Sequence, residues 1–350
     1  MANDDDLHIF MANNLNIFMT GATGYIGGAV LARLLRGQNS QKLHIKALVR
    51  DAGKALKLKD FGVEPVMGTL DDAELIEKEA SKADVIISAA SADHEPSCQA
   101  ILRGAKTSFR RTAMQPIFIH TSGIMSLADN ARGMHGTDTI YDDADANAIA
   151  ALPVTQLHRN VDTKIVAADA AGYVYAYLVL PSLIYGQASH ALARAGITNT
   201  RSIAIPILSK AALARGRPGV IGRGANVVPC VELEEQADMY IVLMNAALRG
   251  APFTRHGREG HYFGASDECT LEQVSRGIGQ AMVKLGCATD PNPTPFTMEE
   301  IDEYLWGSEV MGANARCQAT QAKALGWKPT KTTKDMLESI EKEVQDCIRA

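Results

Sequence analysis

The sequence predicts an α/β fold: a doubly wound parallel (Rossmann) sheet followed by a smaller C-terminal α+β substrate region. Three observations carry this. The apolar stretch Ile17-Phe18-Met19 runs into a turn with glycines at 21, 24 and 27, and then into a helical stripe of Ala29, Val30, Leu31, Leu34 and Leu35. Apolar strands and helical patterns then alternate as far as His120, the spacing of a parallel sheet with crossover helices. Beyond Pro181 the alternation loosens.

The elements follow in order. After the glycine turn and its helix, Leu43–Val49 alternates as a strand, and a short helix spans about Lys54 to Phe61. Glu64–Met67 is a brief strand. Asp71 and Asp72 open a helix through Leu75, Ile76 and Ala80, with acids where a helix N-terminus favours them. Asp84–Ala90 is an apolar strand, Cys98–Met114 a helix and Pro116–His120 a strand. Ser126–Ala146 holds five aspartates and little periodicity, and reads as a flexible loop over the site. A helix over Val154–Ala171 and a strand over Tyr173–Leu180 follow. Gly186–Gly224, rich in Ala, Gly and Arg, reads as a substrate-side insertion. Glu232–Leu248 is a helix, Tyr262–Ser266 a strand, and Thr270 with Gln273 a capping box that opens another helix. Met336, Leu337, Ile340, Val344 and Ile348 mark a closing amphipathic helix. The expected division is a tail over 1–14, a nucleotide-binding domain over 15–185 and an interleaved substrate region over 186–350.

Composition narrows the class. At 350 residues the chain suits one large or two ordinary domains. A net charge of −5 gives no electrostatic case for nucleic acid or anionic membrane as a partner. Six cysteines without a close pair in sequence argue against a zinc site or a CxxC motif and fit a reduced, cytoplasmic compartment. No apolar run approaches a membrane span, and Asp4, Asp5 and Asp6 do not fit a secretory signal. Ile9-Phe10-Met11 is echoed by Ile17-Phe18-Met19, which leaves two readings open: Met11 as an alternative start, or the first ten residues as a loose tail. The expected partner is a small-molecule substrate, and the expected state a monomer or homodimer.

Ligands of such sheets bind beyond the carboxyl ends of the strands. That edge collects Gly21–Gly27, Arg50, Thr69-Leu70-Asp71, Ala89-Ala90-Ser91 and Thr121-Ser122-Gly123. Glycines permit a sharp turn and close approach, and the following helix N-terminus attracts a pyrophosphate. At the end of the second strand, a carboxylate would hold the ribose diol of NAD and a cation the 2′-phosphate of NADP. Arg50 stands there, with Lys54 a turn away and Asp51 one residue late. NADP(H) is therefore expected over NAD(H).

The run Thr20-Gly-Ala-Thr-Gly-Tyr-Ile-Gly27 resembles the extended and atypical short-chain dehydrogenase/reductases. So do Leu-Val-Arg50, Gly68-Thr-Leu-Asp-Asp72, Ser88-Ala-Ala90, His120-Thr-Ser-Gly123 and Leu180-Pro-Ser-Leu-Ile-Tyr-Gly186. The likeness is to the NmrA-like and NAD-dependent epimerase/dehydratase branches, especially fungal-type members. It covers residues 15 to 190, with an echo in Asn314–Cys317 and Ala324–Pro329. By this resemblance Gly21, Thr23, Gly24, Tyr25, Ile26 and Gly27 would wrap the pyrophosphate, and Arg50 would take the 2′-phosphate. Leu70 and Asp71 would border the adenine, Ala89 and Ala90 the ribose, and Pro181 and Ile184 the nicotinamide. Thr121 lies on the same cofactor edge, and Ser122 falls where the family places a serine on the substrate carbonyl.

One departure matters. The family reduces with a Tyr-x-x-x-Lys pair on the helix after the Thr-Ser-Gly strand, but no tyrosine lies between Tyr141 and Tyr173. The gap-free spacing puts Val154 at the tyrosine position and His158 at the lysine position. A one-turn shift puts His158 and Asp162 there, and Asn160 with Lys164 is a third pairing. On a helix His158, Val161, Asp162, Ile165 and Asp169 share one face, with Lys164 roughly 120° away. The gap-free frame is preferred, with His158 on the nicotinamide ribose or acting as an acid and Asp162 fixing it. Tyr141 in the acidic loop is another candidate donor, and Tyr185 reads as packing.

The expectation is an NADP(H)-dependent oxidoreductase acting on a small carbonyl, with Ser122 and His158 assisting. The alternatives are a non-catalytic NADP(H)-binding sensor of NmrA-like type, or an isomerase or dehydratase that uses the nucleotide transiently or as a scaffold.

Overall fold

The computed structural model describes residues 14–37, 40–250 and 253–349. The echoed Ile9-Phe10-Met11 and nearly all of the expected tail lie outside them.

The first strand, β1 (Leu15–Thr20), is followed by α1 (Tyr25–Arg36), β2 (Leu43–Val49), α2 (Ala52–Lys59), β3 (Glu64–Met67) and α3 (Ala73–Ala80). Then come β4 (Val85–Ser88), α4 (Glu95–Thr112), β5 (Ile117–Thr121), β6 (Tyr141–Asp142), α5 (Ala146–Ala150), α6 (Arg159–Ala170) and β7 (Tyr175–Pro181). The second half holds β8 (Leu183–Tyr185), α7 (Ala191–Arg194), α8 (Ala204–Arg215), β9 (Gly219–Val220), β10 (Val227–Glu232), α9 (Leu233–Arg249) and β11 (His261–Gly264). It closes with β12 (Asp267–Thr270), α10 (Leu271–Lys284), β13 (Thr294–Pro295), α11 (Met298–Leu305), β14 (Cys317–Gln318), α12 (Thr320–Ala324) and α13 (Thr333–Arg349).

Seven strands form one sheet in the order β11-β7-β5-β4-β1-β2-β3, every neighbour parallel. Its central strands are apolar runs rather than alternations because helices cover both faces. All four residues of β4 and all five of β5 are buried. Helix α1 packs against α9, α3 against α4, and α4 against α6. The edge strand β11 comes from the second half and pairs Phe263 with Leu180 and Gly264 with Pro181.

A second core gathers Tyr185, Ile205, Ile278, Phe296, Ile301 and Ile340 around α8, α10 and α13. Its three-stranded sheet runs β12-β10-β8. The capping box opening α10 is complete: the Thr270 hydroxyl accepts from the Gln273 N–H, and the Gln273 side chain accepts from the Thr270 N–H. All six cysteines are free, and Cys230 Sγ lies 3.7 Å from Thr333 Oγ1. No helix among the described residues is long and apolar enough to cross a membrane.

Two expectations are corrected here. The helix expected over 154–171 begins only at Arg159. Val154 and Leu157 are exposed, at 67% and 46%, so an earlier turn would bury no apolar face. The chain is turned instead by Gln156, whose side-chain amide donates to the Ala128 carbonyl and whose carbonyl accepts from the Arg159 N–H. The stretch 126–146 is tied down rather than a free loop. Asp129 accepts from the Asn314 backbone and side chain, each at 2.8 Å. The Asp143 carboxylate accepts from the Gln321 N–H at 2.7 Å and the Phe263 N–H at 3.1 Å.

Candidate functional site

The carboxyl ends of β1, β2, β4, β5 and β7 open on one edge of the sheet. At its centre lies the glycine turn. Gly21 has φ +80, and its carbonyl accepts from the Gly24 N–H at 2.8 Å. A Cβ on Gly21 would stand 2.3 Å from the Ala89 carbonyl carbon, and one on Gly27 2.3 Å from the Gly21 oxygen. These two glycines let the loop press against β4 and against itself. A Cβ on Gly24 would approach only the Gly21 oxygen, at 3.1 Å. Gly24 is the N-cap of α1 with no side-chain cap, and the first turn of α1 carries no acid. The amides there form an open, electropositive cradle of the kind a phosphate fills. By contrast α2 is capped, because Asp51 accepts from the Lys54 N–H at 2.8 Å.

That cap bears on the cofactor question. The Asp51 carboxylate is committed to its helix, while Arg50 is exposed and makes no ion pair among the described residues. Leu70 packs on the core, and Asp71 is exposed beside His94 Nε2 at 3.2 Å. Ala89 is half-buried and Ala90 exposed at the end of β4. The Tyr25 hydroxyl donates to the Gly186 carbonyl. Burial, with Glu343, Glu232 and Glu234 nearby, holds that phenol well above its ordinary range. Ile26 packs on the core. The Thr23 carbonyl accepts from the Asn199 N–H at 3.1 Å, and Thr198 lies against Gly28. Lys57 donates to the Ala195 carbonyl at 2.9 Å. The segment after Gly186 is thus fastened across the glycine turn and α2. Pro181 is buried beside Gly264, and Ile184 is half-buried in β8. Thr121 is a partial correction: its hydroxyl bonds Tyr240 at 2.7 Å in the core, so its side chain is not offered to a ligand.

Two polar pairs stand at the ends of β5 and β4. The Ser122 hydroxyl donates to Asp162 Oδ2 at 2.8 Å, with both residues buried. His158 Nδ1 bonds Asp93 Oδ1 at 2.8 Å. The His158 ring lies over Gly123, where an added Cβ would stand 2.7 Å from Nε2. Any side chain at 123 would displace the imidazole. Burial pushes Asp162 up to about 7, against the Ser122 hydrogen bond and the Arg159 charge. Beneath them His120 is fully enclosed, and burial pushes it down to about 4, so it stays neutral.

This geometry corrects the helical argument. His158 is not on a helix face: it is the N-cap of α6, with φ +70. A left-handed conformation is uncommon for a residue with a Cβ and stores strain of about 1–2 kcal/mol. His158 therefore does not pair with Asp162; each binds a partner from another strand end. Lys164 is turned away, donating to the Asn160 carbonyl and pairing with Glu95 at 3.2 Å. Asn160 and Val154 are exposed. Tyr141 sits in β6 opposite Cys317 and half-buried, and its hydroxyl bonds none of Ser122, His158 or Asp162. The partner that sequence reasoning missed is Asp93. Its signal was present: an acid four residues past Ala89, in the loop at the carboxyl end of a parallel strand.

Grooves of about 440 Å³ beside Trp327 and about 410 Å³ at the strand starts near Asp84 and Pro116 lie away from this edge. No group of three or more His, Cys, Asp or Glu among the described residues is placed to hold a metal.

Comparison with known proteins agrees with the sequence motifs. Residues 13–107 match the NmrA-like family. Oxidase ucsJ of Acremonium sp is 28% identical over 336 residues, covering 89% of this chain and 92% of that protein. UDP-glucose 4-epimerase of Thermotoga maritima, solved with UDP-glucose, superposes with a TM-score of 0.64 at 13% identity, over 95% of this chain and all of that one. The double mutant of DesIV, a dTDP-glucose 4,6-dehydratase of Streptomyces venezuelae solved with NAD and DAU, superposes with a TM-score of 0.63 at 16% identity, over 94% and 97%. The resemblance to the NmrA-like family holds over residues 13–107, and the architecture is the fold of these epimerase and dehydratase structures.

Proposed function

We propose that this chain is an NADP(H)-dependent oxidoreductase acting on a small carbonyl compound without the usual tyrosine. One juxtaposition carries the reading. The open glycine cradle, the unpaired Arg50 and the pairs Ser122–Asp162 and His158–Asp93 all stand on one sheet edge.

The residues fit such a cofactor. Only Gly24 of the three turn glycines leaves room on its outer side, and the α1 amides behind it have no acid to satisfy them. Arg50 is free to meet a 2′-phosphate, and Asp51, the residue that would favour a ribose diol, is occupied. When bound, the nicotinamide would supply or accept the hydride. The protein's part is positioning and proton handling. Asp93 holds Nδ1 of His158, which fixes the ring and leaves Nε2 over Gly123 to face a ribose hydroxyl or substrate oxygen. Ser122 sits at the end of β5, its amide donating to the Val179 carbonyl, with its hydroxyl oxygen available to the substrate. Oxidase ucsJ supports an oxidoreductase role at a distance.

One observation favours the second reading, an NADP(H)-binding sensor. The Ser122 hydrogen is already directed at Asp162, and the position expected for tyrosine is an exposed valine outside the helix. Fluorescence titration with NADPH and NADH, then a carbonyl panel on wild type and His158→Ala, separates the two. Tighter NADPH binding with turnover that falls in His158→Ala supports the enzyme. Tight binding with no turnover on any carbonyl supports the sensor.

A further inference from the structure

We propose that Asp162 is the proton reservoir of this site: as a carboxylic acid it donates from Oδ2 to Ser122 Oγ, releasing the serine hydrogen for the substrate oxygen. The inference rests on the carbonyl-reduction reading and supplies what that reading lacks, a proton source in place of the tyrosine.

The geometry gives three reasons. Asp162 Oδ2 lies 2.8 Å from Ser122 Oγ, so the bond can run either way without movement of the backbone: the serine O–H donates to the carboxylate, and once Oδ2 is protonated its O–H donates to Ser122 Oγ. Asp162 is 1% exposed, and Oδ1 has no hydrogen-bond partner. A carboxylate with one bond and one bare oxygen is a costly buried ion, and protonation removes the charge. The charged surroundings also do not neutralise it. Around Asp162 stand Arg159 on its own helix, the Cys98 thiol of α4, Asp93 after β4, and Ser122 on β5. Arg159 favours the anion by its charge but makes no hydrogen bond to it, and Asp93 opposes the anion. Asp162 is also in the first turn of α6, where the helix dipole favours an anion by about 0.3–1 kcal/mol. Burying an ion costs several kcal/mol, so burial prevails. The direction agrees: burial pushes Asp162 up to about 7, near neutrality.

The proton bookkeeping closes. The reduced nicotinamide dinucleotide, when bound, would supply hydride to the carbonyl carbon, with the C=O π pair moving to oxygen. That oxygen takes the Ser122 hydroxyl proton as the O–H bond breaks. Ser122 Oγ takes the proton from Asp162 Oδ2. Asp162 is left as a carboxylate, and one proton from water restores it. Because Asp162 acts through Ser122, it is a positioning and relay residue rather than one that touches substrate.

The first test needs neither cofactor nor substrate. Burial also raises Asp143, Glu232 and Glu343 to about 7, so the readout is a difference: infrared titration of the ligand-free chain minus that of Asp162→Asn should leave one protonated-carboxyl band with a midpoint near 7. Ser122→Ala should move that midpoint upward, because the serine hydrogen bond favours the carboxylate. The second test uses NADPH with benzaldehyde and cyclohexanone. Asp162→Asn should lower kcat roughly 100-fold or more, while KM and NADPH affinity stay near wild type. Asp162→Glu should recover part of the rate, and the alkaline limb of the wild-type kcat profile should track the infrared midpoint. A carboxyl that ionises in the ordinary range overturns the reservoir, as does full kcat in Asp162→Asn. A band that titrates near 7 in a chain that turns over no carbonyl overturns the reduction reading, and the relay with it. Should Asp162→Asn fail to fold, the direction of the Ser122→Ala midpoint decides: no upward shift overturns the proposal.

Discussion

Replacing each of the three turn glycines by alanine should separate two functions that the sequence runs together. At Gly21 the added methyl meets the Ala89 carbonyl carbon at 2.3 Å, and the residue sits at φ +80. Left-handed strain costs about 1–2 kcal/mol and overpacking about 1–3 kcal/mol, so Gly21→Ala should lose roughly 2–5 kcal/mol of stability. At Gly27 the methyl meets the Gly21 oxygen at 2.3 Å, with no left-handed penalty. The gain of alanine over glycine inside a helix, about 1 kcal/mol, offsets part of that clash. Gly24→Ala meets only one oxygen, at 3.1 Å, at an ordinary φ of −80, and alanine is a poorer N-cap than glycine, so it should lose about 1 kcal/mol, less than Gly21→Ala. Its methyl would instead stand between the α1 amides and a pyrophosphate. Losing one hydrogen bond to a charged oxygen, at about 1.5–3 kcal/mol, weakens binding roughly 10- to 150-fold. Urea unfolding and NADPH fluorescence titration on the three purified variants read both effects. Unchanged NADPH affinity in Gly24→Ala, or a wild-type urea midpoint in Gly21→Ala, would refute the assignment of these roles.

Arg50→Ala should weaken NADPH by about ten- to thirtyfold and leave NADH unchanged. A unit pair at 4 Å in water is worth about 1 kcal/mol, and a phosphate carries roughly −1.5 to −2 charges; equal losses for both nucleotides in the titration would argue against the 2′-phosphate role. Glu343 is buried with neither oxygen partnered and is raised from 4.5 to about 7 by burial, so the folded chain keeps a proton there that the unfolded chain releases. Stability must then fall as pH rises through that window, and Glu343→Gln should show a higher urea midpoint than wild type at pH 8, the difference closing towards pH 4. Asn314 is 1% exposed, accepts from the Val227 N–H and donates to Asp129 and the His135 carbonyl. Asn314→Ala should cost about 2–4 kcal/mol and speed proteolysis within 129–142, and an unaltered cleavage rate in limited digestion would count against the pinned loop.

What the sequence makes legible is what local chemistry decides. Leu43–Val49 and Glu64–Met67 are strands with the bounds their apolar patterning predicts. The Thr270–Gln273 cap needs only residues three apart, and both of its bonds form. The glycine turn is readable because its strand, turn and helix are contiguous. The reacting centre is not, because each of its bonds spans a long stretch of chain. Ser122 and Asp162 are 40 residues apart, and His158 and Asp93 are 65 apart. The clasp of Asp129 by Asn314 spans 185 residues. Helical periodicity placed His158 and Asp162 on one face, but the register of that helix is set by Gln156 reaching back to Ala128. The left-handed backbone at 158 has no glycine to announce it. Arg50 and the committed Asp51 were separable only in part, since adjacency in sequence does not say which side chain turns back to cap a helix.

The packing of α1 on α9 sets a timetable for synthesis. Helix α9 begins at Leu233, roughly 200 residues after α1 ends at Arg36, and β11 follows later still. At about 5–20 residues per second, a ribosome needs roughly 10–40 s to cover that gap. Through that interval the buried side of α1 waits for a partner not yet synthesised, and the open margin of β7, complete at Pro181, waits until His261 opens β11. The nascent chain is then most exposed to aggregation, and holdase chaperones have the most apolar surface to bind.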